Sequence, residues 1–342
     1  TLDTICQVAF GSDPGALRDP EASIPFADAF DYCQFCIDKS FFQPFLLWWR
    51  LFTPSGWEMR RCLTVVEDYA RGIVRQKRQQ YSTEKGRQLG ASKNGADLLS
   101  LYIESEMVST KKNDPNQGRT KTASATSSPL TDTDLRDVIM NFVIAGRDTT
   151  AQALSWSIFR MCIHLETQQR VREEVQTILS DPERSASIEC QPLTYEELHK
   201  MKYLDAFCHE VLRLHPSVPK EAKLAMKADT LPDGSPVAAG DLVVFCPYIM
   251  GRSSHIWENP KTFSPERFLD KPKPSPFKFT AFQAGPRTCL GQNLALLEMK
   301  CVLANLVSSF QFTLEQPIDS VVHLPTITLP IKNGLKVSTK VL

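Results

Sequence analysis

The sequence predicts a mainly α-helical protein with a small β-sheet, folded as one domain. Three observations predict it. Apolar residues recur at helical spacing over long stretches, most clearly at Leu135, Val138, Ile139, Phe142, Val143, Leu154, Ile158 and Phe159, close to a 3.6-residue period. Strand-like runs are short and lie only in the C-terminal part. Apolar residues make up 42% and charged residues 23% of the 342 positions, close to what a packed globular core needs.

Taken in order, Ile24 to Phe52 is dense in aromatic residues, among them Phe26, Phe30, Tyr32, Phe35, Phe41, Phe42, Phe45, Trp48 and Trp49. It reads as two helices interrupted near Pro44, because proline removes a ladder N–H and clashes with the preceding turn. A basic helix is expected from Trp57 to Gln79, and a short one opens at Asp97. Residues 109–130 are mostly Ser, Thr, Lys, Asn, Gly and Pro. They offer too little apolar surface to offset ordering, so a flexible loop inside the domain is expected there. Thr131 or Thr133 is expected to cap a long helix ending near Leu165. Helices follow at Gln168–Leu179, Thr194–Lys200 and Tyr203–Leu214, then strands at Lys223–Ala228, Pro236–Val237 and Leu242–Cys246. A proline-rich loop spans Trp257–Pro276, a last helix Gln292–Phe310, and two terminal strands Val321–Leu324 and Leu335–Val341.

Charge and cysteine usage narrow the function. The 39 basic and 39 acidic residues cancel, so there is no global field for nucleic acid, and a charged partner must be met by a local patch. The ten cysteines are scattered through apolar stretches, which reads as buried free thiols in a reducing compartment. Cys33 and Cys36 form a C-x-x-C, but no second pair has zinc spacing. No secretory signal and no run of about 18 apolar residues is present. The opening Thr1–Cys6 reads like the inside of a helix without an initiator Met, which predicts a chain truncated at its N-terminus.

One cysteine has different surroundings. Phe282-Gln283-Ala284-Gly285-Pro286-Arg287-Thr288-Cys289-Leu290-Gly291 runs straight into a helix. A helix N-terminus favours a thiolate through its dipole and free amides. Gly285 and Gly291 permit a tight loop that a flat ligand can approach. Arg287 is placed to pair with an anionic group, and Phe282 to cover the sulfur against water. A second constellation, Ala145-Gly146-Arg147-Asp148-Thr149-Thr150, sits inside the long helix. Glycine and threonine are poor interior helix residues, so a locally opened turn with freed hydroxyls is expected.

The chain resembles the cytochrome P450 family, whose haem loop has the form F-x-x-G-x-R-x-C-x-G. Glu210-Val211-Leu212-Arg213 matches the family's E-x-x-R helix, and Pro265-Glu266-Arg267-Phe268 its P-E-R-F segment. The resemblance implies a cytochrome P450 fold, N-terminally truncated, in which Glu210, Arg213 and Arg267 form a buried ion network. It implies haem b (iron protoporphyrin IX) ligated by Cys289, with Arg287 and Lys223 meeting propionates and Ala145 beside the ring. Thr149 would hold the activated oxygen with a water, and Asp148 would feed protons. The thiolate's electron donation favours O–O cleavage.

Three segments look most like fatty-acid and alkane hydroxylases: Ala145–Ala151, Leu212–Pro219 and Phe282–Gly291. The reaction implied is hydroxylation of a long apolar chain at or near its end, with the aromatic stretch Phe26–Phe52 roofing the pocket and Val218, Pro219 and Ile327 lining it. No flavin or nicotinamide fingerprint occurs, so electrons are expected from an NADPH-cytochrome P450 reductase or an equivalent donor. Lys271, Lys273, Lys278 and Lys300 form either its docking face or a solvated loop. The resemblance also implies the cytosolic face of the endoplasmic reticulum membrane, reached through an N-terminal anchor that this chain lacks. Two rivals remain. One is a haem-thiolate isomerase or lyase acting on lipid hydroperoxides, whose relatives tend to lose the acid–threonine pair that Asp148 and Thr149 retain. The other is an inactive fragment unable to hold haem.

Overall fold

The computed structural model describes residues 1–18, 23–42, 52–82, 97–104, 130–181, 192–324 and 326–342. The break expected near Pro44 and the loop expected over 109–129 lie outside them. The chain divides into two compact units, Thr1–Arg147 and Asp148–Leu342.

The first unit holds α1 (Leu2–Phe10), α2 (Pro25–Phe42), α3 (Pro54–Ser82), α4 (98–104) and the first half of α5 (Asp132–Ile163). Buried Phe26, Ala29, Phe30, Cys33 and Cys36 lie three or four residues apart on α2, and so do Cys62, Val66, Ala70 and Ile73 on α3. That spacing puts each set on one face. The faces meet with the Phe26 and Tyr69 rings stacked at 4.0 Å, and each buried phenylalanine contributes about 1.5–3 kcal/mol. Thr131 caps α5. Its N–H donates to Asp134 Oδ2 at 2.7 Å, and the Asp134 N–H returns a bond to Thr131 Oγ1 at 3.2 Å, a reciprocal cap that satisfies two orphan donors.

The opened turn expected at Ala145–Thr150 is absent: α5 is helical throughout. Gly146 has another reason to be small. A Cβ there would lie 2.6 Å from the Ile5 side chain of α1, so the glycine permits a close helix crossing. That crossing accounts for the glycine and not for the acid and threonines beside it.

The second unit continues with α6 (Leu165–Leu179), α7 (Tyr195–Lys200), α8 (Lys202–Leu214), β1 (Glu221–Leu224), β2 (Asp229–Thr230), β3 (Pro236–Val237), β4 (Leu242–Phe245), α9 (Pro247–Met250), α10 (Gln292–Ser309), β5 (Phe310–Leu314) and β6 (Val337–Val341). Its core gathers Trp156, Met161, Met201, Leu204, Phe207, Leu214 and Met299, all essentially fully buried. Buried polar side chains tie the edge to this core. Gln168 donates to Phe312 O at 3.2 Å and accepts from its N–H at 3.0 Å, while Arg172 donates to Val307 O at 3.0 Å.

Strands pair as β1–β4, β2–β3 and β5–β6, all antiparallel. The small sheet expected is thus three separate two-stranded ribbons among the described residues. Several boundaries differ from the sequence reading, three of them in the strands. β1 begins two residues earlier, at Glu221. Phe310, read as the end of the last helix, instead opens the strand Phe310–Leu314, because Gln168 and β6 take up its backbone groups. Val321–Leu324 is no strand, contributing only the isolated bridge His323–Ile331. No helix among the described residues is long and apolar enough to cross a membrane.

Candidate active site

The loop before α10 is closed by its own backbone. After a 3-10 turn over Thr280–Phe282, Gln283 turns the chain at φ 60° and Gly285 at φ 67°, a region a side chain rarely adopts. The Cys289 N–H then donates to Phe282 O at 2.8 Å, and Thr288 donates to Gly285 O from its N–H at 3.1 Å and its Oγ1 at 2.8 Å. Helix α10 starts two residues after Leu290 on Gly291, whose carbonyl accepts from Ala295 N–H at 2.8 Å. Phe282 packs against the core of the second unit.

Among the described cysteines, Cys289 is the exposed one. Burial pushes the thiols of Cys6, Cys33 and Cys162 up to about 11, which makes them inert. Residues 285–290 are all exposed, with Leu290 at 86%. An exposed thiol and an exposed leucine on a rigid loop at a helix N-terminus fit a flat apolar ligand that binds through sulfur and covers them. Arg287 is exposed beside them and makes no ion pair with another described residue.

Behind the loop lies a buried ion pair. The Arg213 guanidinium takes both oxygens of Glu210, from Nε to Oε2 at 2.7 Å and from Nη2 to Oε1 at 2.7 Å, with both side chains 0% exposed. Glu210 Oε1 also accepts from Ser264 N–H at 2.8 Å. Arg267 lies within ion-pair distance of the same carboxylate, as the expected network has it, but does not hydrogen-bond to it: its Nε is 3.5 Å from Glu210 Oε2. Its remaining N–H groups donate to Glu258 O at 2.7 Å and Asn259 O at 3.2 Å. Both guanidinium groups lie over the Trp257 ring, at 5.5 and 5.8 Å, so the network also pins the segment leading to the loop.

The stretch from Glu210 to Lys223 connects these parts. Its start is the ion pair. At its end, Lys223 Nζ donates to Gln283 Oε1 at 3.2 Å, and Gln283 Nε2 to Glu221 Oε1 at 2.8 Å, joining β1 to the loop. Between them, Ser217 Oγ donates to Thr149 O at 2.6 Å. Asp148 and Thr149 are half-buried neighbours on α5. Lys223 thus engages the loop through Gln283 and lies 3.6 Å from Glu221. Ala145 belongs to the first unit; Asp148, Thr149 and Cys289 belong to the second.

Sequence reasoning missed a buried aromatic knot beside Thr149. Trp156 stacks on His215 at 4.1 Å and on His323 at 4.3 Å, and the two imidazole rings lie 5.2 Å apart. Arg160 Nε donates to His215 Nε2 at 3.0 Å, and His215 Nδ1 is 3.0 Å from His323 Nε2. Arginine only donates, so Nδ1 of His215 carries its proton toward His323. Nothing in a lone L-H-P triplet and a histidine 108 residues later signals this pairing.

The knot sets an acid limit. Burial first, then the Arg160 charge, His323, Arg252 and Arg213, holds His215 well below the ordinary histidine range. Burial likewise takes His323 down to about 4. Above about pH 6.5 both histidines are neutral folded or unfolded, and pH changes nothing. Below it the unfolded chain binds protons that the native knot refuses, so stability falls as pH drops from 6.5 towards 4. The melting temperature should decline across that window, less steeply in His323→Gln. A flat profile for the native protein would contradict the buried neutral pair.

Of the lysines read as a docking face, Lys271, Lys273 and Lys278 are exposed, and Lys278 lies 4.8 Å from the Trp257 ring. Lys300 is a correction. It is 5% exposed, donating to Leu198 O at 3.0 Å with Asp205 at 3.5 Å, so it belongs to the core and to no docking face.

The family model of cytochrome P450 matches residues 1–336. The chain belongs to the cytochrome P450 family. Among curated relatives, cytochrome P450 704C1 of Pinus taeda is 40% identical over 91% of this chain and 60% of its own length. Cytochrome P450 704B1 of Arabidopsis thaliana is 33% identical over 99% of this chain and 67% of its own length. The alkane hydroxylase MAH1 of Arabidopsis thaliana is 32% identical over 98% of this chain and 63% of its own length. This P450 chain therefore spans about 60–67% of these relatives. A crystal structure of a cytochrome P450DA mutant haem domain superimposes with a TM-score of 0.78 at 20% identity, covering all of this chain and 66% of that one, and shows that the P450 fold is shared. P450 proteins bind haem iron, the flat sulfur-ligated group that the exposed Cys289 loop fits.

Proposed function

We propose that this P450 is a haem-thiolate monooxygenase that hydroxylates a long-chain fatty acid or alkane at or near its end. The observation that carries the reading is the exposed Cys289 thiol on a backbone-closed loop at the N-terminus of α10. Haem b would be held by Cys289, and Arg287 and Lys223 would meet its propionates. Bound there, it supplies activation of dioxygen, with the thiolate favouring O–O cleavage. The residues around it bind and move protons. Phe282 keeps water from the sulfur. Asp148 passes a proton from its carboxyl group to the Thr149 hydroxyl, which orients a water towards the reacting oxygen.

The relatives support the substrate class through MAH1, named an alkane hydroxylase. The electron donor is an NADPH-cytochrome P450 reductase, and the location is the cytosolic face of the endoplasmic reticulum membrane. The test is turnover of long-chain fatty acids and alkanes by haem-loaded protein with reductase and NADPH under labelled dioxygen. One labelled oxygen atom per product at or near the chain end is expected. Conversion of lipid hydroperoxides without NADPH would replace this reading with an isomerase or lyase.

A further inference from the structure

The turn between α8 and β1 carries a buried hydroxyl that the proposed chemistry has not used. Ser217 is 8% exposed, and its Oγ donates to the backbone carbonyl of Thr149 at 2.6 Å. A helix carbonyl already has a ladder partner, so a second donor tilts it and fixes the orientation of that turn. The donor is itself held still. Pro216 and Pro219 restrict the backbone on either side, and His215 is clamped by Arg160 and His323 at 3.0 Å each. The Pro219 carbonyl also accepts from Tyr248 N–H at 3.2 Å.

The clamped turn faces one stripe of α5. Thr149, Ala153, Trp156 and Arg160 are spaced four, three and four residues apart, which places them on one helix face. Three of them touch the 215–217 turn: Thr149 through Ser217, Trp156 by stacking on His215, and Arg160 by its bond to His215. Trp156 is further fixed by donating to Leu329 O at 2.8 Å. The upper end of the stripe is the turn bearing Asp148 and Thr149.

We infer that Ser217 is a positioning residue, its hydroxyl holding the Thr149 turn of α5 in the orientation from which Asp148 and Thr149 deliver protons. The inference rests on the monooxygenase reading. It places Ser217 outside contact with substrate or haem and makes it act through Thr149. Where proton delivery to the reacting oxygen slows, dioxygen leaves with two electrons and two protons as hydrogen peroxide, and the NADPH that supplied the electrons yields no hydroxylated product.

The experiment compares haem-loaded native protein with Ser217→Ala and Ser217→Thr, the latter keeping the hydroxyl. In Ser217→Ala the share of NADPH electrons appearing as hydrogen peroxide should rise about 2–10-fold, the factor one hydrogen bond is worth. Turnover to product should fall with KM unchanged. Amide exchange over residues 149–153 should speed up, with or without haem. Ser217→Thr should restore all three. Should the added methyl disturb packing, Ser217→Cys, of Ser-like size but a weak donor, should behave as Ser217→Ala.

Unchanged peroxide share in Ser217→Ala overturns the inference, and so does a raised peroxide share without faster exchange at 149–153. A native protein that binds haem but consumes no NADPH counts against the monooxygenase reading instead. The exchange measurement then decides whether Ser217 holds the helix.

Discussion

Replacing Cys289 with alanine is expected to abolish the red-shifted Soret band of the reduced, carbon monoxide-bound protein while leaving thermal unfolding of the haem-free chain nearly unchanged. Both halves follow from one geometry. Cys289 is exposed, and what orders its loop is backbone: its own N–H to Phe282 O and the Thr288 bonds to Gly285 O. Alanine keeps the N–H and removes only the sulfur. Surface changes of this kind stay within about 0.5 kcal/mol. If Cys289 holds the haem as proposed, the loss of the band should be complete, because removing a metal ligand exceeds the roughly 10–100-fold cost of altering groups around one. A full red-shifted band in Cys289→Ala would move the ligand elsewhere and sink the assignment. A collapsed melting temperature would make the thiol structural.

Replacing Glu210 with alanine should do the reverse, costing about 3–5 kcal/mol of stability as a broken buried ion pair does. The Arg213 guanidinium would keep its carbonyl partners Gly251, Pro260 and Thr262 but lose its counter-charge at 0% side-chain exposure. Ser264 N–H would lose its acceptor as well. Against a typical total of about 5–15 kcal/mol, that is enough to unfold a marginal chain. Urea unfolding of Glu210→Ala, Arg213→Met and the double variant Glu210→Leu/Arg213→Met measures it. The double should recover part of the loss, because a neutral apolar pair leaves no buried charge uncompensated. Equal effects from the singles and a strictly additive double would mean that the pair is not coupled.

The site was legible in the sequence where chemistry depends on neighbours along the chain. The spacing of Glu210 and Arg213 put both on one face of α8, and they meet there. Phe282 and Cys289 fall within one closed loop, and Cys289 N–H bonds the Phe282 carbonyl. Arg267 was legible only in part. Its segment identified it, but its carbonyl partners at 258 and 259 depend on how the proline-rich loop folds back. Lys300 misled, because a charged residue read from sequence carries no sign that a carbonyl and Asp205 await it inside. The opened turn in α5 misled for a related reason. Gly146 answers to Ile5, 141 positions away, and not to its neighbours.

By itself the sequence determined the helical periodicity, a threonine cap at 131 or 133, the loop that presents Cys289, and the family to which those motifs belong. All of these arise from hydrogen bonds and side-chain spacing within a few residues. Tertiary structure decided the rest. It made Phe310–Leu314 a strand by offering it β6 and Gln168, and among the described residues it split the expected sheet into three ribbons. It also stacked Trp156 against His215 and His323 and brought Ser217 to the Thr149 carbonyl across 68 residues. Such partners are chosen by which faces pack together, and residues far apart in a chain carry no local mark of it.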